Sequence, residues 1–166
     1  MPTPTYLKLI GERQGLISSG ASSLESVGTQ WQYGFQDQIL VQSMSYGLSS
    51  CKGEQGSLRT HRPLIINKCI DKSSPLLFNA ACTGERLKTC ELALYRVSSN
   101  SGLEHFYTII LEDAVIVDLD LVVPHCQDPA AARYSQLERV QFSFRDITVR
   151  HEACGTIGSD TWGGEC

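Results

Sequence analysis

The sequence lacks a surplus of basic residues. Fourteen Lys and Arg stand against 18 Asp and Glu, for a formal net charge of −4, so the cationic excess that neutralises a run of phosphates is missing and nucleic acid is not an expected partner. A secretory leader is missing too: Met1-Pro-Thr-Pro-Thr-Tyr-Leu-Lys has no basic n-region, apolar h-region or small-residue cleavage site, which predicts a chain that starts in the cytoplasm. Long apolar runs are absent. The stretch 114–124 is short and is broken by Asp118 and Asp120, which predicts a soluble protein without a membrane partner. The seven cysteines include no C-x-x-C pair, and an odd, widely spaced set argues against both a disulfide framework and a zinc ribbon. The internal ones are expected to be reduced and buried as small hydrophobes, with Cys166 exposed.

Signatures of chemistry are also missing. Neither Gly20-Ala21-Ser22-Ser23 nor Gly47-Leu48-Ser49-Ser50 supplies the G-x-S-x-G of a nucleophile elbow. Gly53-Glu54-Gln55-Gly56 lacks the glycine pattern and the Lys-Ser/Thr of a phosphate loop. His125-Cys126 and His151-x-x-Cys154 offer metal-ligand types. Adjacent strand residues point to opposite faces, however, so the expected role of these groups is to satisfy turn backbone. A Cys126 dyad with His125 or His151 lacks a third, orienting group. Asp118 and Asp120 share a strand face, which suits acid–base work or a plain solvated surface. No catalytic, cofactor or metal residues are expected.

What is present is mostly strand pattern. Val140, Phe142 and Phe144 alternate with Gln141, Ser143 and Arg145, and the apolar phase then shifts to Ile147 and Val149. This predicts a long strand bent near Arg145-Asp146. In 104–123, Tyr107, Ile109, Leu111, Val115, Val117, Leu119 and Leu121 share one parity, interrupted at Glu112-Asp113, as in two strands or one sharply kinked strand. Shorter strands are expected at 6–10, 16–18, 38–46, 63–70 and 88–97. Ser74 as N-cap, Pro75 at the first position and Gly84 as stop punctuate one short helix, with Leu76, Leu77 and Ala80 on its inner face. Between Tyr46 and Pro63 lies a long Gly/Ser-rich connection, read as a functional loop. The fold class is therefore mostly β: a single-domain antiparallel barrel over residues 1–166 with one flanking helix.

These segments resemble one family. The opening Met1-Pro-Thr-Pro-Thr-Tyr, Gly11-Glu12-Arg13-Gln14-Gly15, Gly20-Ala21 and Glu25-Ser26-Val27-Gly28 is similar to that of haemolysin-coregulated (Hcp) proteins of type VI secretion. So are Arg59-x-His61-x-Pro63, Ile70-Asp71-Lys72-Ser73-Ser74-Pro75-Leu76-Leu77 with Gly84-Glu85, and Glu104-His105-Phe106-Tyr107-Thr108. The most specific matches are Pro124-His125-Cys126-Gln127-Asp128-Pro129 and a tail that pairs Phe144-Arg145-Asp146-Ile147 and His151 with Gly155-Thr156-x-Gly158-x-Asp160-x-Trp162. Thr161 stands where the family usually has a second acid.

The resemblance implies a barrel that closes into hexameric rings, stacked head to tail as the inner tube of a contractile sheath. The tube meets a trimeric spike and carries small effector proteins in its lumen. The protein would assemble in the cytoplasm and leave through the apparatus without a signal peptide. Some members carry a C-terminal toxin domain; here none is expected, and the tail from about 155 is expected to be extended. The Gly/Ser-rich connection, with Gly47, Ser50, Lys52, Gly53, Gly56 and Ser57, is the candidate ring-stacking element. Gln42, Ser43 and Ser45 are candidates for the lumen wall, where small polar groups would hold cargo weakly. His61, His105, His125, Gln127, Asp128, Pro129 and Trp162 are family-motif positions with structural or interface roles. Two other readings stand beside this one: a secreted host- or surface-binding protein, and a small hydrolase.

Overall fold

The computed structural model describes residues 3–53, 56–100, 102–131 and 135–162. In chain order the elements are β1 (Thr5–Gly11), β2 (Gly15–Leu16), a single-turn α1 (Leu24–Val27), β3 (Ile39–Ser45), β4 (Leu48–Gly53), β5 (Gly56–His61), β6 (Leu64–Cys69), α2 (Ser74–Thr83), β7 (Leu87–Val97), β8 (Leu103–Glu112), β9 (Val115–Val122), β10 (Leu137–Ser143), β11 (Asp146–His151) and β12 (Thr156–Thr161). The strands expected at 6–10, 38–46, 63–70 and 88–97 are β1, β3, β6 and β7; β6 buries alternate side chains along its length as period-2 patterning requires, while β1, β3 and β7 do so only over part of theirs.

All pairings are antiparallel, and the main sheet runs β12-β11-β8-β7-β1-β3-β6-β10-β9, with β2 attached to β1. Among the described residues the expected barrel is not closed: β9 and β12 end the sheet without pairing to each other. The reason lies at two corners. β8 runs into β9 through Asp113, at φ +53°, and β10 runs into β11 through Phe144-Arg145, so each run crosses from one half of the sheet to the other. The corners are fastened together: the Arg145 N–H donates to the Glu112 carbonyl at 3.2 Å, and the Asp113 carboxylate faces Arg86 at 3.1 Å and Arg145 at 3.5 Å. The sheet thus wraps its core by bending while both edges stay open, with α2 packed against β9. The kink expected at 112–113 is this corner. The single bent strand expected at 140–149 is two strands.

Past the first corner the apolar parity stops reporting burial. A register irregularity between Gln141 and Phe142 buries Ile116 and turns Val117 outward, and Leu121 is exposed as well. Asp118 and Asp120 are exposed on the same strand.

The helix begins one residue earlier than its punctuation suggests. Ser73 is the N-cap, because the Ser74 hydroxyl turns inward to a buried charge cluster. Gly84 ends the helix in the left-handed region at φ +61°, and Leu77 and Ala80 are buried beneath it. That cluster was not foreseen. Lys68, fully buried on β6, meets Glu138 of β10 at 2.7 Å, Asp71 at 3.1 Å and the Ser74 hydroxyl at 3.0 Å. It pins the start of α2 to two adjacent strands.

The cysteines depart from expectation. Among the described residues only Cys90 is a buried cysteine, and burial pushes its thiol up. Cys69 is half-buried, while Cys51, Cys82, Cys126 and Cys154 are exposed, because they lie on outer faces or in turns. Cys166 is outside the described residues.

A third buried acid, apart from the Lys68 cluster, explains two of the sequence motifs. Glu85, next to the helix stop, accepts the backbone N–H groups of Arg13 and Gln14 at 2.6 and 2.8 Å and the Gln14 side-chain amide at 2.8 Å. A Cβ on Gly11 would stand 2.4 Å from the Glu85 carboxylate, so only glycine lets the β1–β2 turn close over it. Burial pushes the Glu85 carboxyl up, but the hydrogen bonds from Gln14 and Arg13 outweigh it and hold the group below the usual carboxylate range. A depressed carboxyl contributes stability above its unfolded pKa, and that contribution is lost as pH falls through the lower folded value. Glu85→Gln is expected to lower stability by about 1–3 kcal/mol at neutral pH. The gap to wild type should shrink in unfolding curves taken below about pH 4; a gap independent of pH would remove the carboxylate from the explanation.

Candidate functional site

The connection from Tyr46 to Pro63, expected as a loop, is the β4–β5 hairpin. Its residues pair from Leu48 with His61 to Gly53 with Gly56, and it forms a two-stranded sheet of its own with no backbone ladder to the main sheet among the described residues. Its sequence is rich in glycine and small polar residues, yet backbone pairing extends the arm by roughly 20 Å at ~3.3 Å per residue. The base is closed by the Arg62 N–H donating to the Gly47 carbonyl at 2.9 Å, and the Arg62 guanidinium lies where a Gly47 side chain would be.

One carboxylate joins this arm to the last strand. Asp160 of β12 accepts from Arg59 Nε at 2.6 Å and from His61 Nε2 at 2.7 Å, while Arg59 Nη2 donates to the Thr161 carbonyl at 3.1 Å. A carboxylate can only accept, so it fixes His61 with Nε2 as donor and leaves Nδ1 to the Tyr46 hydroxyl. His61 is buried, at 3% exposure, with the rings of Phe144 and Trp162 each 5.8 Å from its own. Hydrogen bonds from Arg59 and then His61 hold the Asp160 carboxyl below the usual range, and Asp160 in turn raises the Arg59 guanidinium. Burial and the Asp160 charge push the Tyr46 phenol up. The Tyr–His–Asp chain superficially resembles a relay for nucleophilic attack. A phenol whose ionisation is disfavoured is a poor nucleophile, so the geometry suits a clamp. Beside it, Leu48, Val149, Gly158 and the Tyr46 ring border a mostly apolar groove of about 230 Å³.

The structure gathers some expected residues and scatters others. Gly47, Ser50, Lys52, Gly53, Gly56 and Ser57 all belong to the arm or its base. His61 and Trp162, a hundred residues apart in the chain, meet at the clamp. Gln42, Ser43 and Ser45 are exposed on β3, where a bulge between Val41 and Ser43 turns both Gln42 and Ser43 outward. His105 is elsewhere, its Nε2 at 2.9 Å from the buried Thr108 hydroxyl that donates to Glu152. His125, Gln127, Asp128 and Pro129 are on an exposed turn, in which the His125 carbonyl accepts from Asp128 and the Asp128 carboxylate from Ala130 N–H. The Cys154 N–H donates to His151 Nδ1 at 3.1 Å, the turn-satisfying role expected of these groups. Sequence reasoning missed Tyr46 and Phe144 as partners of His61. It had Arg59 and Asp160 in motifs without their pairing, because contacts across so long a chain separation leave no local spacing signal.

Against known proteins, residues 6–151 match the family model described as type VI secretion system effector, Hcp. The chain is 43% identical over 166 residues to the "Major exported protein" of Pseudomonas aeruginosa, covering 98% of this chain and 96% of that one. Among solved structures it is similar to one described as a crystal structure of Hcp protein, at TM-score 0.91 and 37% identity over 98% of this chain and 99% of that chain. It is also similar to the secreted protein Hcp3 from Pseudomonas aeruginosa, at TM-score 0.82 and 40% identity over 96% and 99%. Matched by the family model over most of its length and by relatives from end to end, the chain belongs to the Hcp family of type VI secretion.

Proposed function

We propose that this protein is the ring-forming subunit of a type VI inner tube, assembled as head-to-tail stacked hexamers and exported with the spike as a carrier of small effectors. Membership in the family makes it an exported structural protein rather than an enzyme. The observation that carries the ring reading is the pair of open sheet edges. Among the described residues β9 and β12 have no further strand partner at the two ends of one sheet, and β9 exposes Val117, Leu121 and Val122. Such edges and apolar patches in a soluble chain need covering, and a heterologous contact repeated around an axis covers them in every copy. The β4–β5 arm stands apart from the sheet and is read as the element that reaches the next ring. β3 lies in the interior of the sheet, away from both edges, so its outward Gln42, Ser43 and Ser45 are read as lumen wall, polar and small enough to release cargo.

Electron microscopy and native mass measurement of the purified protein test the reading. Rings of uniform hexameric mass are expected; a stable monomer at micromolar concentration would overturn it.

A further inference from the structure

We propose that Asp160 acts as a latch that sets the direction of the β4–β5 arm, so that the arm meets its docking surface already aimed. The proposal rests on reading the arm as the stacking element. A two-stranded hairpin is marginal on its own in water, and this one shares no backbone ladder with the main sheet among the described residues. One backbone hydrogen bond, from the Arg62 N–H to the Gly47 carbonyl, closes its base, and beyond that point side chains must aim it. Arg59 and His61 are two apart on β5 and so share a face, and both converge on the same Asp160 oxygen, at 2.6 and 2.7 Å. Arg59 also grips the backbone of β12 through the Thr161 carbonyl.

The other end of the latch is anchored. The Trp162 N–H donates to the Arg145 carbonyl at 2.6 Å, tying the end of β12 to the corner between β10 and β11, and β12 pairs with β11 along its length. An exposed Arg–Asp pair alone contributes little. Here the carboxylate is shared with a buried imidazole backed by Tyr46, Phe144 and Trp162, and a network with one desolvated member holds geometry better than an isolated pair. Asp160 is a positioning residue: it acts on the arm, and the arm on the next ring.

Hydrogen exchange on intact rings tests this. In Asp160→Ala, amides of 48–53 and 56–61 are expected to exchange at least about fivefold faster, with β1 and β7 unchanged, ring mass unchanged and tubes forming only at higher protein concentration. Asp160→Asn keeps an acceptor oxygen and should recover part of the protection. Should Asp160→Ala fail to fold, Arg59→Gln removes the exposed half of the latch without touching buried groups and should show the same hairpin-confined change. Unaltered hairpin exchange, or equal acceleration across the main sheet, would overturn the latch, as would faster hairpin exchange with normal stacking. Failure of the arm reading itself shows separately, as normal stacking after the arm tip is removed; hairpin exchange is measured on single rings and does not depend on that result.

Discussion

Replacing residues 52–57 with a two-residue Asn-Gly turn is expected to leave rings of normal stability and to abolish tubes. Among the described residues none of the hydrophobic core cluster lies in the arm, and Cys51 and Leu58 pair across the hairpin, so a tight type I′ turn can reconnect them without strain. The arm would end one turn from Cys51 and lose its reach. Because a ring-to-ring interface repeats the same contact in every subunit, losing only about 1 kcal/mol per subunit sums to several kcal/mol per interface, on the order of a thousandfold or more in stacking affinity. Electron microscopy and sedimentation at matched concentrations read both halves of the result. Tubes of ordinary length from the shortened protein would remove the arm from the stacking interface, and loss of the rings themselves would make it a lateral contact instead.

Lys68→Met is expected to be the most destabilising single change outside the apolar core. The ammonium is fully buried, and Glu138 and Asp71 depend on it for their neutralising partner. Removing one member of a buried ionic cluster leaves charge without compensation and typically costs about 3–5 kcal/mol, which for a chain of this size corresponds to a fall in Tm of roughly 10 °C at fixed protein concentration. Adding Glu138→Met to Lys68→Met should recover part of the loss, because a well-packed apolar pair avoids the desolvation cost of the ionic one. If the double variant is as unstable as the single one, the cost does not come from the stranded Glu138 charge and lies instead in Asp71 or in packing around α2.

That pair shows how far a sequence can be read. Lys68 falls on the same parity as the buried Leu64 and Ile66, and Glu138 on that of Val140 and Phe142, so each strand carries one charged residue where its core face should be. Two opposite charges out of place on two strands are a legible sign of a buried pair. Only the register, which sets Lys68 directly across from Glu138, makes them partners. Glu85 is harder to read: Gly84-Glu85 and Gly11 to Gly15 look like separate turn motifs until the fold closes one over the other.

Periodicity, helix punctuation and motif order determined the strand-rich class, the main strands, the single longer helix and the family, because each is a property of neighbouring residues. Folding decided the rest. Whether the sheet closes depends on where β8–β9 and β10–β11 turn, and the register irregularity at Val117 changes which residues of β9 face inward while the apolar parity of the sequence runs on unchanged. A polar, glycine-rich connection becomes a paired arm because backbone hydrogen bonds need no apolar pattern. The clamp of Arg59, His61 and Asp160 joins residues a hundred positions apart, and such proximity exists only once the chain has folded.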